Sequence, residues 1–146
     1  MKRRPLPARN TFAAFIELTK PRITFLILIS TALGYYLGNA GQFELFNFIV
    51  TIIGTTMLAG GAGAINHYIE KDLDVLMDRT KSRPIPAGLI SSQTALYFGL
   101  IQSILGFGLL WVFVNVLTAL LGLLTIALYL FIYTPLKMIT WLNTTI

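Results

Sequence analysis

One short segment of the chain concentrates amide, acidic and basic side chains directly after a long apolar run. Segment 66–84 contains four of the six acidic residues of the chain. If the helix of the apolar run continues into this segment, Asn66, Glu70 and Asp74 follow one another at steps of four residues. Each such step advances by about 40° around a helix, so these three side chains share one face, whereas Asp72 points elsewhere.

Three oxygen-bearing side chains that converge at one place suit a hard cation such as Mg²⁺. This ion typically takes one or two carboxylates from a protein and completes its shell with water and substrate phosphates. Three basic side chains of the same segment, Arg79, Lys81 and Arg83, can donate charge-assisted hydrogen bonds to the remaining phosphate oxygens. The segment therefore predicts a diphosphate site in which the amide and the two carboxylates bind Mg²⁺.

The same segment can also be a solvated loop, because its four acidic and four basic residues cancel. Ionisable groups at the edge of a membrane span are costly, however, and this cost favours a functional role for the regularly spaced face. The single histidine, His67, could act as a base or bind iron. A lone histidine at a helix end more often satisfies a local hydrogen bond, and we favour that role here.

The composition indicates that the elements around this segment lie in lipid. The 146 residues are 55% hydrophobic and only 12% charged, and the mean hydropathy is +0.75. Soluble domains carry about twice that share of charge. The absence of cysteine excludes a disulfide framework, a thiolate zinc site and a cysteine nucleophile, and the single histidine excludes a multi-histidine metal site.

Four apolar stretches approach the length of about 20 residues that a membrane-spanning helix needs. We place these spans at residues 21–39, 45–67, 94–114 and 116–134. The last two form one apolar stretch of about 40 residues, roughly twice the membrane thickness as a single helix, so the chain must turn back at Asn115. The small residues 59–64 at the end of the second span predict close helix packing, with room for a ligand as a further possibility. The sequence thus predicts an all-α, polytopic transmembrane helix bundle in a single membrane domain, residues 1–146.

The eleven Lys and Arg residues are confined to three segments. They are Lys2, Arg3, Arg4, Arg9, Lys20 and Arg22; then Lys71, Arg79, Lys81 and Arg83; and finally Lys137. Four spans place all three segments on the same side, and the positive-inside rule makes that side cytoplasmic, including loop 68–93. Orientation therefore explains the net charge of +5, and no nucleic acid partner is needed. Residues 11–19 are expected to form a short interfacial helix, without signal or transit character, which favours a bacterial plasma membrane.

The acidic face resembles the first motif of the UbiA superfamily of intramembrane prenyltransferases, Asn-Asp-x-x-Asp-x-x-x-Asp. Asn66, Glu70 and Asp74 match this motif, with Glu in place of the central Asp. His67 replaces the second residue, which the heme-modifying branch of the family also does not keep as Asp.

Three further stretches are similar to that heme-modifying branch. Residues 19–22 (Thr-Lys-Pro-Arg) look like its entry to the first span, and residues 77–88 resemble its Met-x-Arg-Thr-x-x-Arg-Pro-x-Pro-x-Gly loop. Tyr133-Thr134-Pro135-Leu136-Lys137, with Thr140 and Asn143, resembles its Tyr-Thr-x-x-Leu-Lys-Arg-x-Thr-x-x-Asn stretch, although Met138 replaces the usual Arg.

The resemblance implies a fold of nine helices with a second acidic motif, of which this chain is expected to be the N-terminal half. It implies transfer of a farnesyl group from farnesyl diphosphate to a vinyl group of heme b, giving heme O. Mg²⁺ on the acidic face and the basic loop would stabilise the leaving diphosphate. Arg22 would contact diphosphate or a heme propionate, or serve only as an interfacial anchor. A prenyltransferase of an aromatic quinone precursor and a non-enzymatic four-span membrane protein are the alternatives.

Overall fold

The computed structural model describes residues 11–139, with side chains described through Leu136. Across these residues the chain forms six α-helices, two of which continue into a π-helical turn, and it contains no strand. The helices are α1 (Thr11–Leu18), α2 (Pro21–Gly38), α3 (Leu45–Asp74), α4 (Ser92–Leu109), α5 (Val116–Leu128) and α6 (Thr134–Ile139). The π-turns are Leu110–Val114, after α4, and Tyr129–Tyr133, between α5 and α6. The basic residues Lys2, Arg3, Arg4 and Arg9, together with Thr140 and Asn143, lie outside the described residues.

Four segments are long and apolar enough to cross a membrane, which confirms the prediction of an all-α transmembrane bundle. They are Pro21–Gly38, Leu45–Asp74, Ser92–Val114 and Val116–Leu136. The largest difference from the expected bounds is in α3, which continues beyond His67 to Asp74 and has 30 residues. Such a helix is about 45 Å long and exceeds a hydrocarbon core of about 30 Å, so one end of α3 extends beyond the apolar layer.

Helix α3 is the centre of the bundle because its small residues let two neighbours approach its backbone. A Cβ atom on Gly61 would lie 2.7 Å from the carbonyl oxygen of Gly99 in α4. On another face, a Cβ atom on Gly63 would lie 2.8 Å from the carbonyl oxygen of Leu18. Side chains larger than hydrogen would push both neighbours away, and this supports the prediction that the glycines serve helix packing.

Asn115 is the point at which the long apolar stretch turns back. Its backbone is extended, and its side-chain oxygen accepts a hydrogen bond of 2.7 Å from the backbone N–H of Thr118. That bond caps the first turn of α5, which would otherwise leave N–H groups unpaired. Asn115, near the middle of the apolar stretch, therefore ends one span and begins the next.

The link between α1 and α2 rests against α3. The buried side chains of Ala14 and Leu18 in α1 pack with Ala64 of α3. Lys20 then takes a left-handed conformation with φ of 50°, which is uncommon for a residue with a side chain, and Pro21 begins α2. This sharp link keeps the lysine beside the helix that carries the acidic residues.

Candidate active site

The acidic face of α3, defined here as Asn66, Glu70 and Asp74, is buried inside the bundle. The three residues expose only 1%, 5% and 3% of their surface. The side-chain amide of Asn66 donates a hydrogen bond of 3.0 Å to Oε2 of Glu70. The spacing of four residues thus does bring these side chains together, because α3 remains helical through Asp74.

Arg83 returns from the following loop and pairs with both carboxylates of this face. Its Nη1 atom lies 3.2 Å from Oε2 of Glu70 and 3.1 Å from both carboxylate oxygens of Asp74. The sequence assigned Arg83 to a diphosphate, and the structure joins it to the carboxylates that were assigned to the metal. A single guanidinium therefore pairs with two buried carboxylates.

Two contacts hold the loop in this returning path. The hydroxyl of Thr80 donates a hydrogen bond of 2.9 Å to the backbone carbonyl of Asp74, at the end of α3. That carbonyl belongs to the last turn of the helix, where acceptors have no helical partner. Pro84 is fully buried, and its carbonyl accepts hydrogen bonds from the backbone of Leu89 and Ile90. The loop is therefore fixed on both sides of Arg83.

The other predicted phosphate-binding residues do not join the acidic face. Arg79 and Lys81 are exposed on the loop, and Arg22 is exposed near the start of α2. Lys81 forms an ion pair of 2.9 Å with exposed Asp78, and this ammonium holds the pKa of the Asp78 carboxyl below its usual range. Of the four predicted cations, the structure brings only Arg83 to the buried carboxylates.

Thr134 contacts the acidic face, although the sequence assigned it no role. Its side chain is fully buried, and its hydroxyl donates a hydrogen bond of 2.8 Å to the side-chain oxygen of Asn66. The only sequence signal for Thr134 was its place in the Tyr-Thr-x-x-Leu-Lys stretch. Nothing in that stretch indicates that its threonine meets a residue so far back in the chain.

An apolar cavity of about 410 Å³ lies between α2, α3 and α5. Lys20 and Tyr129 line it, and the ammonium of Lys20 donates a hydrogen bond of 3.2 Å to the phenol oxygen of Tyr129. Gly63 lines the same cavity one turn before Asn66. Sequence reasoning had treated Lys20 as a topology signal and as part of the stretch 19–22, with no role in a site, and had not identified Tyr129. The cavity and the acidic face are therefore neighbours on α3.

Several of the threonines that line this cavity donate hydrogen bonds from their hydroxyls to the backbone. Thr24 donates to the carbonyl of Thr19, Thr31 to that of Ile27, and Thr51 to that of Asn47. Because the polar atoms of these side chains already have partners, the cavity suits an apolar guest.

The donor set of the acidic face is compatible with Mg²⁺. Among the described residues, no group of three or more His, Cys, Asp or Glu side chains could hold a metal ion. Two carboxylates and one amide are nevertheless the kind of set that Mg²⁺ uses when water and substrate phosphates complete its shell. Arg83 already holds positive charge against these carboxylates, so a metal ion there would replace part of its ion pairing.

Comparison with known proteins gives concordant matches. The sequence pattern of the UbiA prenyltransferase family matches residues 27–146. The protoheme IX farnesyltransferase of Solibacter usitatus is 46% identical over 141 residues, which cover 90% of this chain and 48% of that protein. The protoheme IX farnesyltransferase of Leptospira biflexa is 43% identical, over 84% of this chain and 43% of that protein. The protoheme IX farnesyltransferase of Trichodesmium erythraeum is 42% identical, over 88% of this chain and 41% of that protein. The chain thus spans about half the length of these relatives or less, and no solved structure matches it.

Proposed function

This chain belongs to the UbiA prenyltransferase family, and on that premise we propose that it supplies the first acidic motif of a heme-farnesylating enzyme. The reaction is transfer of farnesyl from farnesyl diphosphate to a vinyl group of heme b, giving heme O. The observation that carries the proposal is the buried acidic face beside an apolar cavity. The relatives named protoheme IX farnesyltransferase support the choice of both substrates.

In this reaction the bond between the allylic carbon and the diphosphate oxygen breaks, and the diphosphate leaves with the electron pair. The vinyl group then forms a carbon–carbon bond to the allylic cation, which leaves a positive charge on the other vinyl carbon. Water adds to that carbon and loses a proton, so the product carries a hydroxyl group. Asn66, Glu70 and Asp74 would hold Mg²⁺, which when bound neutralises charge on the leaving group. The two carboxylates alone would repel a diphosphate, and this is why the site needs a cation between them.

Arg83 is proposed to move from the carboxylates to the diphosphate as the substrate binds. Its fork of N–H donors can pair as well with phosphate as with carboxylate oxygens. Arg79 and Lys81 stand exposed on the same loop and are proposed to extend the positive charge toward the phosphates. Arg22 is proposed as a further contact to diphosphate or a heme propionate, or as an anchor at the membrane surface.

The apolar cavity is proposed to hold the farnesyl tail and to exclude water. An allylic cation reacts with water unless the acceptor reaches it first, so a dry enclosure protects the transfer. The cavity lining supports this role because it is mainly apolar and the hydroxyls of Thr24 and Thr31 are bonded within their own chain segment.

The membrane arrangement follows from the distribution of charge. We propose that loop 68–93 and the N-terminus face the cytoplasm, since the basic residues gather there. The lipid bilayer surrounds the four spans, and the bacterial plasma membrane is the proposed location. The second acidic motif expected of the family would complete the diphosphate site from the opposite side.

The test is to replace Asp74 with Ala in the full-length protein and to measure heme O in membranes by chromatography and mass spectrometry. We expect at least a hundredfold loss of heme O, the range in which removing an electrostatic stabiliser reduces turnover. Asp72→Ala is the matched control, because Asp72 lies on the same helix but is exposed. Both variants should insert into the membrane in wild-type amounts.

If Asp74→Ala made heme O at the wild-type rate, the assignment of Asp74 to the site would be wrong. A farnesylated quinone precursor in place of heme O, made by the unmodified protein, would change the acceptor and leave the diphosphate site intact. Absence of any prenyl product and of any Mg²⁺-dependent diphosphate binding by the unmodified protein would favour a non-enzymatic membrane protein.

A further inference from the structure

The hydrogen bond between Thr134 and Asn66 joins two helices that are far apart in the sequence. Sixty-eight residues separate the two side chains, and the hydroxyl of Thr134 lies 2.8 Å from Oδ1 of Asn66. The backbone carbonyl of Tyr129 is a second acceptor near this hydroxyl, at 3.0 Å. The backbone N–H of Thr134 also donates to that carbonyl.

The neighbouring carboxylate fixes which way the Asn66 amide faces. Its NH₂ group lies 3.0 Å from Oε2 of Glu70. If the amide were turned over, two oxygen acceptors would face each other at that distance and repel. The hydroxyl of Thr134 must therefore donate to the amide oxygen. Because a carbonyl oxygen has two lone pairs, this bond orients the oxygen and leaves its second lone pair for a ligand.

The π-turn Tyr129–Tyr133 brings Thr134 to this position. A π-turn adds one residue to a helical turn, and one residue corresponds to about 100° of rotation around the helix. Without the wider turn, residue 134 would face a different direction. Pro135 accounts for the turn, because the ring of a proline inside a helix clashes with the carbonyl four residues earlier and donates no hydrogen bond.

We propose that Thr134 is a positioning residue that holds the Asn66 amide oxygen ready to bind the metal ion of the acidic face. The inference rests on the proposed function and adds a residue from the fourth span to it. Groups that hydrogen-bond to metal ligands orient those ligands, and their loss typically weakens metal binding by 10- to 100-fold. Thr134 does not touch the substrate in this role, because it acts through Asn66.

The experiment compares Thr134→Val with Thr134→Ser in the full-length protein. Valine keeps the shape of threonine without the donor, and serine keeps the donor. Mn²⁺ serves as the probe for Mg²⁺, and its binding is followed by electron paramagnetic resonance in the presence of a non-reactive farnesyl diphosphate analogue. The Mg²⁺ concentration for half-maximal transfer is measured in parallel. Thr56→Val is the control, because that exposed hydroxyl bonds to Ile52 of its own helix and does not line the apolar cavity.

We expect Thr134→Val to weaken Mn²⁺ binding by about tenfold or more, while Thr134→Ser stays within about threefold of the wild type. High Mg²⁺ should restore most of the turnover of the valine variant. Equal binding by wild type and Thr134→Val would overturn the inference alone, as would a serine variant as weak as the valine variant. If valine prevents folding, Thr134→Ala against Thr134→Ser makes the same comparison. Absence of Mn²⁺ binding by the wild type would overturn the proposed function itself.

Discussion

The acidic face and the exposed turn that follows it contain the same kinds of charged residue, only a few positions apart. Glu70 and Asp74 are buried and share one guanidinium from Arg83. Asp78 and Lys81 pair with each other in solvent. In the sequence both groups combine carboxylates with a nearby basic residue. Burial separates them, because a charge removed from water must find a partner, whereas an exposed charge is already stabilised by water.

The difference indicates where function is to be sought. An exposed ion pair can be lost with little consequence, and its presence reveals little about a site. A buried pair of carboxylates with one arginine is costly to assemble, and a membrane protein that keeps such a group has a use for it. Three mutations test how far this contrast between the two regions extends.

The largest effect on stability is expected from Arg83→Met. Removing one partner of a buried ion pair costs about 3–5 kcal/mol, because the remaining charges stay buried without compensation. Here two carboxylates would lose their shared partner. The midpoint of thermal unfolding, measured in detergent with EDTA present, should therefore fall sharply.

Added Mg²⁺ should recover part of that loss in the variant, since the cation can take the place of the guanidinium. Lys81→Met, in the exposed turn, is the matched control and should unfold as the wild type does. Equal midpoints of thermal unfolding for Arg83→Met and Lys81→Met would contradict the difference in stability between the buried and the exposed ion pairs.

A smaller effect is expected from Thr80→Val, which removes the hydrogen bond between the loop and the end of α3. A single hydrogen bond contributes about 1 kcal/mol, and the backbone carbonyl of Asp74 would lose its partner from the loop. The variant should also show faster cleavage of the loop by added protease. Thr56→Val is the control, because its exposed hydroxyl bonds only within α3. Unchanged cleavage would mean that Arg83 and Pro84 alone hold the loop.

The smallest effect is expected from Lys81→Ala, which leaves Asp78 without its ammonium. In the folded protein that ammonium lowers the pKa of Asp78 below its unfolded value of about 3.9. A lowered folded pKa stabilises the protein above the unfolded pKa, and the contribution disappears as pH falls through the folded pKa. The variant should return the carboxyl pKa of Asp78 to its ordinary value in an NMR titration. An unchanged pKa of Asp78 would mean that this ion pair does not persist in solution, and a loss of heme O at neutral pH would support the proposed role of Lys81 toward the phosphates.

The sequence was sufficient where structure depends on near neighbours. Helical spacing predicted that Asn66, Glu70 and Asp74 share a face, and hydropathy predicted the four spans and the reversal at Asn115. The prediction of a shared face assumed that α3 continues past His67. The sequence did not predict this continuation, because the end of a helix depends on what packs beside it.

The contacts that complete the face could not be predicted, since they depend on how distant segments meet. Arg83 returns to the helix it has left because Thr80 and Pro84 fix the loop. Thr134 reaches Asn66 because a π-turn rotates it, and helical periodicity gives no indication of such a turn. Sequence spacing therefore predicted that the three side chains of the acidic face lie together, but not that Arg83 and Thr134 contact them.

The bond between Asn66 and Thr134 also has a consequence for the order in which the protein is made. The ribosome adds about 5–20 residues per second, so Thr134 emerges roughly 3 to 14 seconds after Asn66, given the 68 residues between them. During that interval α3 has left the ribosome, yet the amide oxygen of Asn66 has no partner from the later helix. The contacts of the acidic face are thus complete only after the fourth span has been made. If synthesis stopped earlier, α3 would remain in the membrane and the amide oxygen of Asn66 would lack its hydrogen bond from Thr134.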